Sequence, residues 1–135
     1  MMNSSTKIKI DHIDHVVLTV KDVNKTIDFY TNILGFELNI YGKDEKKALN
    51  FGSYKLNIHS FDKSYEPIAK NPLSGSLDIC LVSTTPLKEI MSFLNEKNIP
   101  IELGPIRRTG ATQMILSIYI RDPDGNLLEI ANEVT

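Results

Sequence analysis

The sequence predicts an α+β fold of two successive β-α-β-β-β modules, and three observations carry that expectation. A β-branched run leading into a helical apolar stripe occurs twice. Each stripe is followed by further strand-like runs ending in a hairpin with a strong turn signal. The two halves also superimpose in pattern when one is slid along the other.

In the first half, residues 13–20, "IDHVVLTV", have the β-branched richness of a strand. Asp22 is a good helix N-cap, and Val23, Ile27, Tyr30, Ile33 and Leu34 recur at helical spacing. Gly35 stands where a helix end wants a left-handed residue. "FELNIY" and "KALNFGSYKLNIHSF" then predict three strands, the last two joined by a tight turn near Gly52–Ser53. Residues 63–74, "KSYEPIAKNPLS", carry two prolines and little periodicity and read as a linker.

In the second half, "GSLDICLV" predicts a strand. Thr85 is expected to cap a helix with Pro86 at its first position and Leu87, Ile90, Met91 and Leu94 on its apolar stripe. "IPIELG" reads as a strand, "GPIRRTGATQ" as a loop, and "MILSIYIRDPDGNLLEIAN" as a hairpin turning at "DPDG". The acids of that turn are read as turn chemistry rather than as a calcium loop. The expected organisation is a flexible tail over residues 1–6 and a single domain over 7–135, with module one about 9–62, the linker 63–74 and module two about 75–135. Sliding the halves by 63 residues sets His15 on Asp78 and Tyr30 on Phe93; sliding by 70 sets His59 on Glu129.

Composition narrows the function. The chain has 135 residues, enough for one core, with 41% hydrophobic and 24% charged residues. A net charge of −2 gives no basic field for nucleic acid or an anionic membrane. No apolar run approaches the roughly 20 residues of a membrane span, and the start "MMNSSTKIK" lacks a signal peptide's apolar middle, so a cytoplasmic location is expected. The single cysteine, Cys80, excludes an intrachain disulfide framework and is expected to act as a small buried hydrophobe.

Strand alternation then selects candidate residues. Val16, Leu18 and Val20 should pack on the helices, which turns His15, Val17 and Thr19 to the opposite, concave side. The same parity places Asp78 and Cys80 on that side, His59 with Asn57, and Glu129 with Leu127. His12 precedes the strand on the other parity and reads as a surface residue. A lone strand histidine is ordinarily structural, Asp78 alone reads as an edge charge, and Glu129 alone as a solvated residue. The repeat pairs His15 with Asp78 and His59 with Glu129, and two imidazoles with two carboxylates suit a borderline divalent ion such as Zn, Ni, Co, Mn or Fe(II).

The stretches "IDHVVLTVKDVNKTIDFYTNILGFEL" and "IYIRDPDGNLLEIAN" resemble the vicinal oxygen chelate superfamily, which includes glyoxalase I, extradiol dioxygenases, fosfomycin-resistance enzymes and bleomycin-binding proteins. "GSLDICLV" with "GPIRRTG" is more narrowly similar to the glyoxalase-domain-containing protein 5 group and related bacterial virulence-associated proteins. The resemblance, covering nearly residues 10–132, implies a paired, curved mixed sheet whose modules make a cup around one metal held by His15, His59, Asp78 and Glu129. His59 stands where glyoxalase I usually has Glu, and Asp78 where it has His or Gln. Thr19 stands where bacterial glyoxalase I relatives place an arginine that meets glutathione's carboxylate. Glutathione therefore enters only as a candidate co-substrate, with Arg107, Arg108 and Arg121 as cations that could replace that arginine and whose ordinary reading is solvated loop charge. Thr19 and Asn57 complete the candidate substrate-binding set.

The expected chemistry is that of a metal-dependent lyase or isomerase acting on a small α-oxo aldehyde or its thiol adduct, with Glu129 as the proton-transferring base and His59 the runner-up. The alternatives are a metal-independent small-molecule or drug-binding protein of the bleomycin-resistance kind and an Fe(II) dioxygenase. Absence of Trp and a 7% aromatic content weigh against a stacking pocket, and the short chain against a dioxygenase. A homodimer, side by side or with exchanged modules, is expected.

Overall fold

The computed structural model describes residues 5–134, and the elements follow the predicted order. They are β1 (His15–Val20), α1 (Val23–Asn32), β2 (Glu37–Tyr41), β3 (Lys46–Phe51), β4 (Tyr54–Ser60), β5 (Asp78–Val82), α2 (Leu87–Glu96), β6 (Leu103–Thr109), β7 (Met114–Arg121) and β8 (Leu127–Glu133). They make two four-stranded mixed sheets, ordered β1-β4-β3-β2 and β5-β8-β7-β6. In each, the first strand runs parallel to the fourth and the remaining pairs are antiparallel. No helix among the described residues is long and apolar enough to cross a membrane.

Local sequence explains most of these boundaries. The Asp22 side chain accepts the Lys25 amide at 3.0 Å and caps α1, and Gly35 ends that segment at a φ of 72°. The expected cap of α2 is different. Pro86 occupies the cap position with no side-chain bond of its own, and Asn132 on β8 accepts the Leu87 amide at 2.7 Å. A strand residue 45 positions away thus satisfies a group that Thr85 was expected to serve.

The expected loop "GPIRRTGATQ" is also different, because Leu103–Thr109 forms edge strand β6 while "IPIE" before it has no strand. Pro105 is tolerated because the strand lies at an edge, and a register shift between Leu103 and Ile106 absorbs it. Gly104 is required there: a Cβ would stand 2.4 Å from the Ser117 carbonyl oxygen.

Even-numbered residues of β1 face the helices as predicted, with Leu18 and Val20 at 1% and 0% exposure. One apolar core joins both halves, including Leu49, Leu56, Leu94, Ile118 and Leu128. Burying each such side chain contributes about 1.5–3 kcal/mol.

The predicted DPDG turn does more than reverse the chain. Buried Asp122 accepts four hydrogen bonds: from the amides of Asp124 and Asn126 at 2.9 Å, from the Asn126 side-chain amide at 2.8 Å, and from the Tyr30 hydroxyl at 2.7 Å. Asp124 in turn accepts the Lys21 amide at 2.9 Å and the Ser74 hydroxyl at 2.6 Å, and Asn126 accepts the Leu77 amide at 2.8 Å. The turn therefore ties the end of β1, helix α1, the segment before β5 and β8 together.

Burial, and then the Asp122 charge, push the Tyr30 hydroxyl pKa far above its usual value. Tyr30→Phe is expected to lower unfolding free energy by about 1.5–3 kcal/mol at pH 7, measured by denaturant titration. A phenol whose folded pKa is raised gives stability that is complete below the unfolded value of about 10 and declines as pH rises past it. The gap between wild type and Tyr30→Phe should accordingly narrow above about pH 10; a constant gap would contradict the assignment.

Candidate functional site

Because the helices cover one face of each sheet, the other face is open, and register decides what stands on it. On the first sheet Val17 pairs with Asn57, His15 with Lys55, and Thr19 with His59. Tyr41 donates its hydroxyl to Asn57 Oδ1 at 3.3 Å, and the Lys55 ammonium lies 4.4 Å from the Tyr41 ring centre. His15 is exposed, with Nδ1 bonded to the Asp14 carboxylate at 2.8 Å. Exposed His12 contacts its neighbour Asp11.

His59 lies flat against Tyr65, with ring centres 3.7 Å apart and planes 3° from parallel. The Ser60 amide donates to the Tyr65 hydroxyl at 3.0 Å, which pins the segment after β4 over this end of the sheet. His59 Nδ1 is buried without a hydrogen-bond partner, and burial first and the Lys46 charge second lower the pKa of its ring. Tyr41, Lys46, Asn57, His59, Lys63 and Tyr65 border a cavity of about 530 Å³.

On the second sheet Asp78 pairs with Leu127, Cys80 with Glu129, and Glu129 with Tyr119 on its other side. The Glu129 carboxylate accepts the hydroxyl of fully buried Ser117 at 2.6 Å. Cys80 is exposed rather than buried, since β5 is an edge strand. Its thiol pKa is nevertheless pushed up to about 11, by partial burial first and then by the charge and hydrogen bond of Glu129.

Register also changes the internal match. Cys80 pairs with Glu129 two residues beyond Asp78, and Val17 pairs with Asn57 two residues beyond His15. The counterpart of Glu129 on the first sheet is therefore Asn57, not His59. The cause is turn length: Phe51 and Tyr54 close around two residues, whereas Arg121 and Leu127 close around residues 122–126. A single offset of 70 carried across both strands of the hairpin misses that difference.

His15 and His59 thus stand on one sheet and Asp78 and Glu129 on the other. Among the described residues no three His, Cys, Asp or Glu side chains gather into a group that could hold a metal ion. The donor types suit a divalent metal, but their placement in one chain does not. Arg121 is bound to Glu102, Arg107 pairs across the ladder with Leu116, and Arg108 donates to the Tyr119 hydroxyl. Ser117 and Tyr119 were not singled out from the sequence, although their spacing in "MILSIYI" puts them on one face.

The comparisons with known proteins agree with the fold. A family model described as Glyoxalase/Bleomycin resistance protein/Dioxygenase superfamily matches residues 12–130. Virulence protein STM3117 of Salmonella typhimurium is 47% identical over 132 residues, covering 98% of this chain and 91% of that protein. Its crystal structure superimposes with a TM-score of 0.91 at 48% identity, over 94% of this chain and 100% of that one. Glyoxalase domain-containing protein RDO1 of Mycosarcoma maydis is 44% identical over 93% of this chain and 70% of its own length. A more distant relative, lactoylglutathione lyase of Escherichia coli O157:H7, is 25% identical over 88% of this chain and 90% of its own.

A thiol with a pKa near 11 is almost wholly protonated at neutral pH. Alkylation of Cys80 by iodoacetamide at pH 7.5 should run at least about tenfold slower than for a free cysteine. Glu129→Gln should accelerate it by removing the adjacent negative charge; equal rates in both proteins, followed by mass spectrometry, would contradict the contact.

Proposed function

This chain belongs to the Glyoxalase/Bleomycin resistance protein/Dioxygenase superfamily, and on that premise we propose that it is a lyase or isomerase acting on a small compound with adjacent oxygens, an α-oxo compound or its thiol adduct. The observation that carries the reading is the Glu129 carboxylate, held by buried Ser117 on the open face of the second sheet. The serine fixes one carboxylate oxygen and the Cys80 thiol faces the same group, so the carboxylate is held in place as the acceptor for a proton from the carbon beside a carbonyl. Cys80 and Tyr119 flank it across the ladder, so a substrate seated there meets a thiol and a phenol on either side.

Superfamily members often use a divalent metal, and an ion would polarise the substrate carbonyl. His15, His59, Asp78 and Glu129 remain the proposed donors by chemical type, with glutathione a proposed co-substrate. Their separation onto two sheets of one chain supports no metal-dependent step, and a shared site would need donors from two copies of the chain in the expected homodimer. The same separation favours a second reading, a binding protein that works without metal.

The test is turnover of the hemithioacetal of methylglyoxal and glutathione, with and without added Ni²⁺ or Zn²⁺, together with elemental analysis of the purified protein. The account expects turnover, and a loss of about 10²–10⁴-fold in Glu129→Gln with folding intact. Wild-type protein that binds no metal and stays inactive with either ion would leave the binding-protein reading in its place.

A further inference from the structure

The three arginines near the second sheet differ in what they have left to offer. Arg121 is engaged on both edges: Nε and Nη2 donate to the two Glu102 oxygens at 3.0 Å each, and Nη1 donates to the Gly125 carbonyl at 3.2 Å. Arg107 pairs with Leu116, which packs against the core, so it stands on the helix side of its strand, away from Glu129. Arg108 has the opposite parity and shares the open face with Ser117, Tyr119 and Glu129.

Its cross-strand partner is Ile115, yet its Nε donates to the Tyr119 hydroxyl at 2.9 Å. The two side chains therefore lean toward each other along the sheet and meet near the row of Ile106 and Ser117, the serine that holds the Glu129 carboxylate. The guanidinium is thereby held near the Tyr119 ring, 5.6 Å from its centre. Its two terminal nitrogens have no protein partner among the described residues, and no ion pair joins it to Glu129. A planar fork fixed through Nε and open at its far edge matches the two oxygens of a carboxylate. The Tyr119 hydroxyl accepts from Arg108 and keeps its own proton to donate.

We propose that Arg108, positioned by Tyr119, binds a carboxylate of the substrate, and that the substrates are therefore 2-oxo carboxylates or thiol adducts that retain the carboxylate. Ser117 lies in the row between Arg108 and Tyr119 and holds the Glu129 carboxylate, so a carboxylate bound at Arg108 places the adjoining oxo carbon toward Glu129. This rests on the reading of Glu129 as the proton acceptor, and binding separates the two claims from one another.

Calorimetric or ligand-observed NMR titration of the full chain with pyruvate, 2-oxobutyrate and phenylpyruvate, each beside its amide, provides the test. Wild-type protein should bind at least one acid about tenfold or more tightly than its amide. Arg108→Gln should abolish that preference, Arg108→Lys should restore part of it, and Arg107→Gln should match wild type. Glu129→Gln should keep the acid preference while losing turnover; turnover unchanged in that variant would remove the base and leave carboxylate binding standing. No acid binding by wild type at millimolar concentration, or an undiminished preference in folded Arg108→Gln, overturns the proposal.

Discussion

The Asp122 carboxylate is the constraint on which the rest of the structure depends. Taking a carboxylate out of water costs several kcal/mol, and an isolated one would not stay buried. Four donors around Asp122 offset that cost, and they come from its own turn and from helix α1. The hydrogen bond from Tyr30 is the long-range member, spanning 92 residues of sequence. Through it and the Lys21–Asp124 contact, the hairpin of the second sheet fixes where the first β-α unit can lie.

Placement of the open faces follows. Once the two sheets are locked through the turn and the shared core, their helix-free faces carry different chemistries. The first presents Asn57, Tyr41 and the His59–Tyr65 stack, with lysines around them. The second presents a carboxylate braced by a serine, beside a thiol and an arginine-held phenol. A single chain thus offers a carboxylate, a thiol and a phenol on one face and aromatic, cationic surroundings on the other, without a three-donor metal group among the described residues.

Much of this was legible in the sequence because it is set locally. Alternation in "HVVLTV" predicted the buried Leu18 and Val20, and Asp22 and Gly35 marked the ends of the first helical segment. Parity alone put His15, Asn57, Asp78 and Glu129 on the faces where they stand. What was not legible is decided by partners distant in sequence. Asn132 capping α2, Pro105 sitting in an edge strand and Tyr65 covering His59 each depend on a neighbour that no local pattern announces. The match of His59 to Glu129 failed because the two hairpins turn over different lengths, which shifts register while the letters still align. The arginines looked equivalent as letters; only their bonded partners and parity separate them.

Native-state hydrogen exchange tests the joint most directly. The amides of Lys21, Leu77 and Asn126 all end on side chains of the 122–126 turn, although they come from three separate segments. If the Asp122 network locks the halves together, these amides open only with global unfolding and exchange with the free energy of core positions such as Ile118 and Leu128. Exchange of Lys21 and Leu77 through a separate, lower-energy opening, with Ile118 still protected, would show two halves that come apart and would contradict the account.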